Sequence, residues 1–326
     1  MFLFLYGDDT YRSRQKLEAI KQKYLGKTQT DFNLVSFDVE EEFDFEEFVR
    51  QTKALPFLVS SRLVIVKNLL RAGSKELQEK VCEYLPKIPR STIVVFYETG
   101  VPDRRARLFN ALNQPRRAQQ FQPLSPPAIV DWIEKEVENR GGKISRSAAQ
   151  KLAAISDENL WALSGEIDKL LLYQGGEEIT ETAIEELVVP KISASAFEIL
   201  EAVFQGAAKK AIQILNVLFE NGEPPLRIIG ALLYQLRLSL LLKKDLLPKI
   251  SRLLGVSQFA LYRNKTLAQN CSFRQLKAIY SSLGQIDFEI KTGKIEDKRA
   301  LFWWLAKLAT KGPIARSKSS STNLYF

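Results

Sequence analysis

The chain has 326 residues, of which 45% are hydrophobic and 26% are charged, and its formal net charge is +9. This length exceeds what one ordinary core accommodates, so we expect two or three domains of a soluble protein with average composition. The absence of histidine and the presence of only two cysteines exclude histidine-dependent nucleophiles and zinc sites built from imidazole or thiolate ligands.

Strand and helix patterns alternate over residues 1–124. Predicted strands at 2–6, 34–37, 63–66 and 92–97 alternate with predicted helices at 11–25, 44–54 and 75–85. This alternation predicts βαβ units and a mostly parallel sheet that is covered by helices on both faces. The apolar opening has no charged leader before it, so we interpret it as a strand and not as a signal peptide.

The turn after the first predicted strand is where nucleotide-binding α/β domains hold phosphate. A working P-loop needs a second glycine and a Lys-Ser/Thr pair, whereas Gly7 is followed here by Asp8 and Asp9. Strand 92–97 is followed by Glu98, without the aspartate that holds magnesium in such enzymes. We therefore predict no catalytic residue, no bound cofactor and no metal, and we expect the two aspartates to cap the next helix.

An apolar corner, consisting of Leu55, Pro56, Phe57 and Leu58, lies between helix 44–54 and strand 63–66. Asp44 and Glu47 predict a capping box at the start of that helix, and Pro56 ends it by restricting the preceding residue. The residues leave two alternatives. The corner either folds back into the core or presents an apolar patch to a protein partner.

Helical patterns fill the chain beyond a proline-rich boundary at 122–127. Predicted helices at 128–140, 147–155, 159–173 and 181–188 form an acidic block; after a break at 190–195, helices at 197–205, 207–220, 226–244, 258–267, 273–291 and 297–310 are strongly basic. The predicted domains are 1–124, 125–190 and 191–312. The last residues, 313–326, are expected to be disordered, and their end resembles a protease-site remnant from expression.

Two features of the sequence, its apolar runs and its cysteines, bear on cellular location. No run approaches the roughly 20 apolar residues that span a bilayer, so we expect no membrane association. Cys82 and Cys271 are far apart in the chain, and we expect reduced thiols in a cytoplasmic protein.

Four motifs, in this order and spacing, resemble the delta subunit family of the bacterial DNA polymerase III clamp loader. They are LFLYGDD at 3–9; ALPFL at 54–58 running into RLVIVKN at 62–68; the segment from Leu160 through EIDKL at 166–170 with Tyr173 and Gly176; and DFEIKTG at 287–293. Each motif is weak by itself, but together they extend over nearly the whole chain.

The resemblance implies an AAA+/RecA-like α/β domain with a degenerate nucleotide site, a small helical lid and an all-α collar. It implies a non-catalytic subunit of a pentamer, whose partners are the sliding clamp (beta subunit), the gamma/tau and delta prime subunits, and primer-template DNA. It assigns clamp opening to two adjacent apolar side chains, most nearly Phe57 and Leu58, with Leu55 and Pro56 shaping the turn that presents them.

Two basic segments are candidates for DNA contact. They comprise Arg12, Arg14 and Lys16 on the first helix, and Lys291, Lys294, Lys298 and Arg299 around the loop before the last helix. Such contacts would be independent of base sequence and sensitive to salt, although a basic helix face is also common on solvated surfaces. Two other functions stay open: an active AAA+-type ATPase with a divergent site, and a free-standing DNA-binding protein that uses the basic helical half.

Overall fold

The chain divides into two compact units, Met1–Leu124 and a second unit that begins at Ser125. The computed structural model describes residues 1–28, 31–156, 159–244 and 258–310. The separation of a lid at 125–190 from a collar at 191–312 stays a prediction. The predicted tail at 313–326 lies outside the described residues.

The first unit is a parallel sheet flanked by helices. Its strands are β1 (Phe2–Tyr6), β2 (Leu34–Asp38), β3 (Arg62–Lys67), β4 (Thr92–Tyr97) and β5 (Ala118–Gln120), and its helices are α1 (Thr10–Thr28), α2 (Phe45–Lys53), α3 (Leu69–Ala72), α4 (Lys75–Tyr84) and α5 (Arg107–Leu112). The strands pair in parallel in the order β2-β3-β4-β1-β5. This confirms the predicted parallel α/β domain, although β5, α3 and α5 were missed. The strand β5 has three residues, and α3 and α5 are helices of four and six residues, which is too short to show a helical period.

Successive strand residues pack into two apolar layers on opposite faces of the sheet, as the period of two requires. Phe4 and Phe96 pack in the layer that contains α2, α4 and α5. Leu5 and Val95 pack in the layer that contains Tyr24 of α1. Both faces are therefore buried, which explains the continuous apolar strands.

The strand order places the apolar corner at the amino-terminal edge of the sheet. Helix α2 returns the chain from the carboxyl end of β2 to the amino end of β3, and the corner fills the gap between Lys53 and Arg62. Nucleotides in such sheets bind at the opposite, carboxyl-terminal edge. The corner and the region of a nucleotide site are therefore separated by the length of the strands.

Helix α2 is capped by Asp44, whose side chain accepts a hydrogen bond from the Glu46 N–H at 3.0 Å. The predicted capping box of Asp44 with Glu47 is wrong, because Asp44 bonds the N–H of Glu46 and not that of Glu47. Glu47 instead accepts from the Gln51 side chain at 2.6 Å and pairs with Arg50, because these partners lie three and four residues ahead on the same helix face.

The second unit is mainly helical. Its elements are α6 (Pro126–Asn139), β6 (Lys143–Ile144), α7 (Arg146–Ile155), α8 (Leu160–Gln174), β7 (Glu178–Ile179), α9 (Glu181–Leu187), α10 (Ile192–Phe204), α11 (Ala208–Glu220), α12 (Pro225–Lys243), α13 (Gln258–Asn270), α14 (Phe273–Lys291) and α15 (Asp297–Thr310). The helical prediction is confirmed. The two-residue strands β6 and β7, which pair in parallel, were missed, and the predicted break at 190–195 ends earlier because α10 begins at Ile192.

Among the residues that the structure describes, one helix, α12, has the length and the apolar composition needed to cross a membrane. Its Leu232 and Leu236 lie in the largest helical core. Its Gln235 and Ser239 are buried and bond to the side chain of Asn264 at 2.6 and 2.9 Å. This combination of apolar packing and satisfied polar groups is typical of a core helix.

Candidate functional site

The apolar corner is exposed to solvent. Leu55 and Leu58 are each 86% exposed and Phe57 is 59% exposed, while Pro56 is half-buried. The alternative in which this corner folds back into the core is therefore wrong. Large apolar side chains clustered at one exposed turn are characteristic of an interaction surface.

Asn33 fixes the backbone of the corner. Its side chain is fully buried; the amide Nδ2 donates to the Phe57 carbonyl at 2.9 Å, and Oδ1 accepts from the Phe57 N–H at 2.7 Å. Phe57 lies outside the strands, so its backbone N–H and carbonyl are not paired in the sheet. The buried Asn33 amide bonds both of these groups. The exposed ring projects from a backbone that is held in place.

Further hydrogen bonds hold the two ends of the corner. Before it, the Thr52 carbonyl accepts from the Thr92 hydroxyl at 2.8 Å, and the Thr52 hydroxyl lies 2.8 Å from that of Tyr84. After it, the Tyr24 hydroxyl donates to the Ser61 carbonyl at 2.8 Å. A surface fixed in this way loses less conformational entropy when it binds a partner.

Leu58 adopts a left-handed backbone conformation, with φ of 58°. For a residue other than glycine this costs about 1–2 kcal/mol, and such strain concentrates at ligand-contacting sites. Because the Leu58 side chain is 86% exposed, its packing does little to offset this backbone strain. This is the pattern expected of a residue retained for binding.

Phe32, just before β2, was missed in the sequence. Its side chain is 71% exposed, and its ring centroid lies 6.5 Å from that of Phe57 with the two planes at 88°. The available signal was a single phenylalanine between Asp31 and Asn33, outside any helix or strand pattern. With Phe32, the exposed surface has two aromatic and two leucine side chains.

The carboxyl-terminal edge of the sheet shows what replaces a phosphate site. The connection from β1 runs toward one edge and that from β4 toward the other, so the ligand-binding switch point lies at their carboxyl ends. There Asp9 caps α1, its Oδ1 accepting from the Arg12 N–H at 2.9 Å. The Arg12 side chain bonds Asp9 Oδ2 and the Gln122 carbonyl, each at 2.5 Å. The cap predicted for Asp9 is confirmed, whereas Asp8 is exposed.

The backbone of Phe121 closes the turn that follows β1. Its N–H donates to the Tyr6 carbonyl at 2.7 Å, and its carbonyl accepts from the Asp9 N–H at 3.1 Å. Gly7 has φ of +139°, and a Cβ there would lie 2.0 Å from the Phe121 oxygen. Phe121 therefore packs so closely against this turn that a side chain at position 7 would collide with it, and it already takes up the Asp9 N–H.

Glu98, which follows β4 at the same edge of the sheet, forms hydrogen bonds to the backbone at the start of α3. The carboxylate is buried, and its oxygens accept from the N–H groups of Leu70 at 2.7 Å and Arg71 at 3.2 Å. Burial raises its pKa to about 7, against the opposing effect of these two hydrogen bonds. Among the described residues, no group of three or more Cys, Asp or Glu side chains is arranged to hold a metal ion.

The raised pKa of Glu98 predicts a pH dependence of stability. Between the unfolded value near 4.5 and the folded value of about 7, the folded state binds more protons, so the free energy of unfolding falls as pH rises. We expect Glu98→Gln to remove on the order of 2 kcal/mol of this fall between about pH 5.5 and 7, as measured by urea unfolding. Glu76→Gln is the control, because backbone and Ser74 hydrogen bonds lower the pKa of Glu76. Identical pH slopes for Glu98→Gln and wild type would contradict the assignment.

The DNA-contact candidates on α1 have different surroundings. Arg12 is committed to Asp9 and Gln122, and Arg14 is an exposed side chain with contacts of its own. Lys16 is exposed and lines a cleft beside β1. The structure therefore brings these three residues onto one helix without making them a single site.

The candidates around the loop between α14 and α15 have partners. Lys291 pairs with Asp287 at 2.6 Å and Arg299 with Glu296 at 3.0 Å. Lys294 lies 5.7 Å from the ring centroid of Phe288, and Lys298 lies 5.4 Å from that of Phe219. Acidic side chains are thus interleaved with the basic ones at this loop.

Two family models match this chain, one within each of its two compact units. A family model described as "DNA polymerase III, delta subunit" matches residues 3–122, and one described as "DNA polymerase III delta subunit, C-terminal domain" matches residues 193–308. Together they match more than two thirds of the chain.

Individual relatives extend over nearly the full length. The DNA polymerase III subunit delta of Bacillus subtilis is 26% identical over 311 residues, covering 91% of this chain and 89% of the relative. A probable DNA polymerase III subunit delta of Aquifex aeolicus is 23% identical over 303 residues, covering 87% and 84%. The solved structure of the Bacillus subtilis DNA clamp loader delta protein matches with a TM-score of 0.69 at 26% identity, covering 95% of both chains. The chain belongs to the DNA polymerase III delta subunit family of clamp-loader subunits.

Proposed function

We propose that the chain binds the ring-shaped sliding clamp through the apolar corner and opens it for loading onto primed DNA. The observation that carries this proposal is the exposure of Phe57 and Leu58 on a backbone held by buried Asn33. A few apolar anchors that enter a partner's pocket supply most of the energy of a typical interface. Because the anchors are already ordered, little of that energy is spent on fixing them.

Opening requires more than affinity. A ligand shifts the equilibrium between closed and open ring only by the difference between its affinities for the two states. We propose that the pocket for the corner is complete only in the distorted clamp, so that binding favours the open ring by a few kcal/mol.

We further propose that the chain does not hydrolyse ATP itself and that polymerase activity belongs to the holoenzyme. Support comes from the carboxyl-terminal edge of the sheet, where Asp9 caps α1 and Phe121 closes the turn at Gly7. A phosphate there would meet the Asp9 carboxylate, which is paired with Arg12, and an Asp9 N–H that already donates to the Phe121 carbonyl. This arrangement argues against the alternative of an ATPase with a divergent site.

The second unit offers a surface for the other clamp-loader subunits, which we propose to be gamma/tau and delta prime in a hetero-pentamer. A groove of about 830 Å³ between α14 and α15 is lined by apolar side chains that include Ile279 and Leu308. Trp303 stands at this groove and is 76% exposed. An exposed tryptophan beside an apolar groove is typical of an interface anchor.

Lys291, Lys294, Lys298 and Arg299 remain proposed contacts to primer-template DNA within that assembly. The relatives are bacterial proteins, and we propose a location in the bacterial cytoplasm at the site of replication. The test of the function is retention of the chain on immobilised sliding clamp from the same organism. Retention on DNA with no affinity for clamp would instead favour the free-standing DNA-binding protein.

Phe32 is expected to strengthen clamp binding as a second aromatic contact beside Phe57. Since the ring is exposed and packs edge-on against Phe57, Phe32→Ala should weaken clamp binding by about 1 kcal/mol, or fivefold, with little change in stability. Titration calorimetry of the chain with purified clamp measures this change. If the variant binds the clamp with wild-type affinity, Phe32 is not part of the clamp-binding surface.

A further inference from the structure

A cleft of about 520 Å³ runs between α1 and the β1–β5 edge of the sheet. Its floor is aliphatic and includes Leu3, Leu5 and Ile20, and its walls carry Lys16, Lys23, Arg116 and Arg117. All four cationic residues are exposed. We name this feature, defined by those four cations, the basic cleft.

The cations of the basic cleft are not neutralised by the fold. Among the residues that the structure describes, none of the four forms an ion pair with a carboxylate, and Arg117 lies 4.9 Å from the ring centroid of Phe2. Lys16 and Lys23 are seven residues apart and share one face of α1. The Glu18–Lys21 pair, with its contact of 3.1 Å, projects from the opposite face of the helix.

The turn that carries the two arginines is tightly held. The Gln114 carbonyl accepts from the N–H groups of Arg117 at 3.1 Å and Ala118 at 3.0 Å, and the Arg117 carbonyl accepts from the Phe4 N–H at 2.8 Å. Arg116 has φ of 66°, a left-handed conformation that is costly for a side chain of this kind. A fixed and strained turn thus places Arg116 at the cleft, whereas the guanidinium group of Arg117 lies over Phe2, which packs on the opposite face of the sheet.

We propose that the basic cleft binds the phosphodiester backbone of nucleic acid, without regard to base sequence. Lys16, Lys23 and Arg116, with no interleaved carboxylate, match a ligand that carries one negative charge on every repeating unit. The loop between α14 and α15 matches such a ligand less well, because its basic residues alternate with acidic partners. An acidic protein segment is a poorer fit, because a polypeptide seldom carries a negative charge at every residue.

This site is distinct from the apolar corner and does not rest on clamp binding. The corner lies between α2 and β3, whereas the cleft is built from α1, β1 and the turn before β5. Of its four cations, only Lys16 was a candidate from the sequence. Arg116 and Arg117 were missed because the strand β5 that brings their turn beside α1 was itself too short to predict. Lys23 lies on the predicted first helix, but its neighbours across the cleft could not be read from the sequence.

The test measures binding of the full chain, without clamp, to a labelled oligonucleotide by fluorescence anisotropy, using single-stranded and duplex forms over a range of salt. The variant combines Lys16→Gln, Lys23→Gln and Arg116→Asn, since asparagine tolerates the left-handed backbone. The matched control combines Lys75→Gln, Lys80→Gln and Lys87→Gln, which are exposed residues of the same unit and change the net charge equally.

We expect the cleft variant to bind single-stranded DNA about tenfold more weakly and to lower the salt slope by about 2, from about 0.7 per lost phosphate contact. The control should stay within about twofold of wild type. The double variant Lys16→Gln/Lys23→Gln, confined to exposed positions on α1, provides the same test if the triple variant unfolds early.

Three results would overturn the proposal. The first is absence of DNA binding by the wild-type chain, and the second is an equal loss in the cleft and control variants. The third, measured with labelled polyglutamate as a second probe, is a cleft variant that loses binding to polyglutamate and keeps its binding to DNA. The last result would assign the basic cleft to an acidic protein segment. The choice between single-stranded and duplex DNA is made by whichever form shows the larger loss in the cleft variant.

Discussion

Replacing Phe57 and Leu58 together by alanine is expected to abolish detectable binding to the sliding clamp and to leave the thermal unfolding midpoint nearly unchanged. Both side chains are largely exposed, so their removal costs the fold little, within about 0.5 kcal/mol. As interface anchors they would each contribute about 2 kcal/mol. The combined loss corresponds to an affinity lower by roughly three orders of magnitude.

The chain offers a matched control for this variant in its second unit. Leu172 and Tyr173 are 84% and 57% exposed, close to the values of 86% and 59% for Leu58 and Phe57. Leu172→Ala/Tyr173→Ala should retain wild-type clamp affinity in surface plasmon resonance. Equal losses in the two double variants would show that exposed apolar area in general, and not the corner, governs binding. Unfolding of the corner variant would show that the corner is structural.

The second large effect is expected from Asn33→Ala, which removes the buried amide that holds Phe57. The N–H and carbonyl of Phe57 lose their partners, which should lower the free energy of unfolding by about 2 kcal/mol. Clamp affinity should fall about tenfold as well, because Phe57 and Leu58 must now be ordered on binding. Urea unfolding and surface plasmon resonance measure the two effects separately.

Asn264→Ala separates lost stability from lost positioning. Asn264 is also a fully buried amide, and it bonds Gln235, Ser239 and Ala260 at 2.6 to 2.9 Å in the helical unit. This variant should be destabilised to a similar extent and should keep wild-type clamp affinity. A folded Asn33→Ala protein with unchanged clamp affinity would mean that Asn33 does not position the corner.

Much of the fold could be predicted because its elements have strong local patterns. The buried strands β3 and β4 are continuous apolar runs, and α14 begins with the capping box of Ser272 and Gln275. Short elements such as β5 and β6 could not be found, because three or two residues carry no measurable period. Their positions depend on pairing with strands that are distant in sequence.

The location of the candidate site was predictable, but its construction was not. Pro56 and the apolar residues around it indicated a corner between helix and strand, and composition alone could not decide whether that corner was buried. Asn33 and Phe32 contact Phe57 from about one helix–strand unit earlier in the chain. Such long-range contacts follow from the pairing of β2 with β3, which no local pattern specifies.

The central claim, that the corner binds and opens the clamp, is tested most directly by release of clamp from circular DNA. Clamp closed on a circular duplex is incubated with the purified chain in the absence of nucleotide, and the clamp that stays on DNA is measured by gel filtration. The wild-type chain is expected to release the clamp, and Phe57→Ala/Leu58→Ala is expected to leave it in place. Release that is equally fast with this variant, or a wild-type chain that binds the clamp and leaves it closed on DNA, would contradict the account.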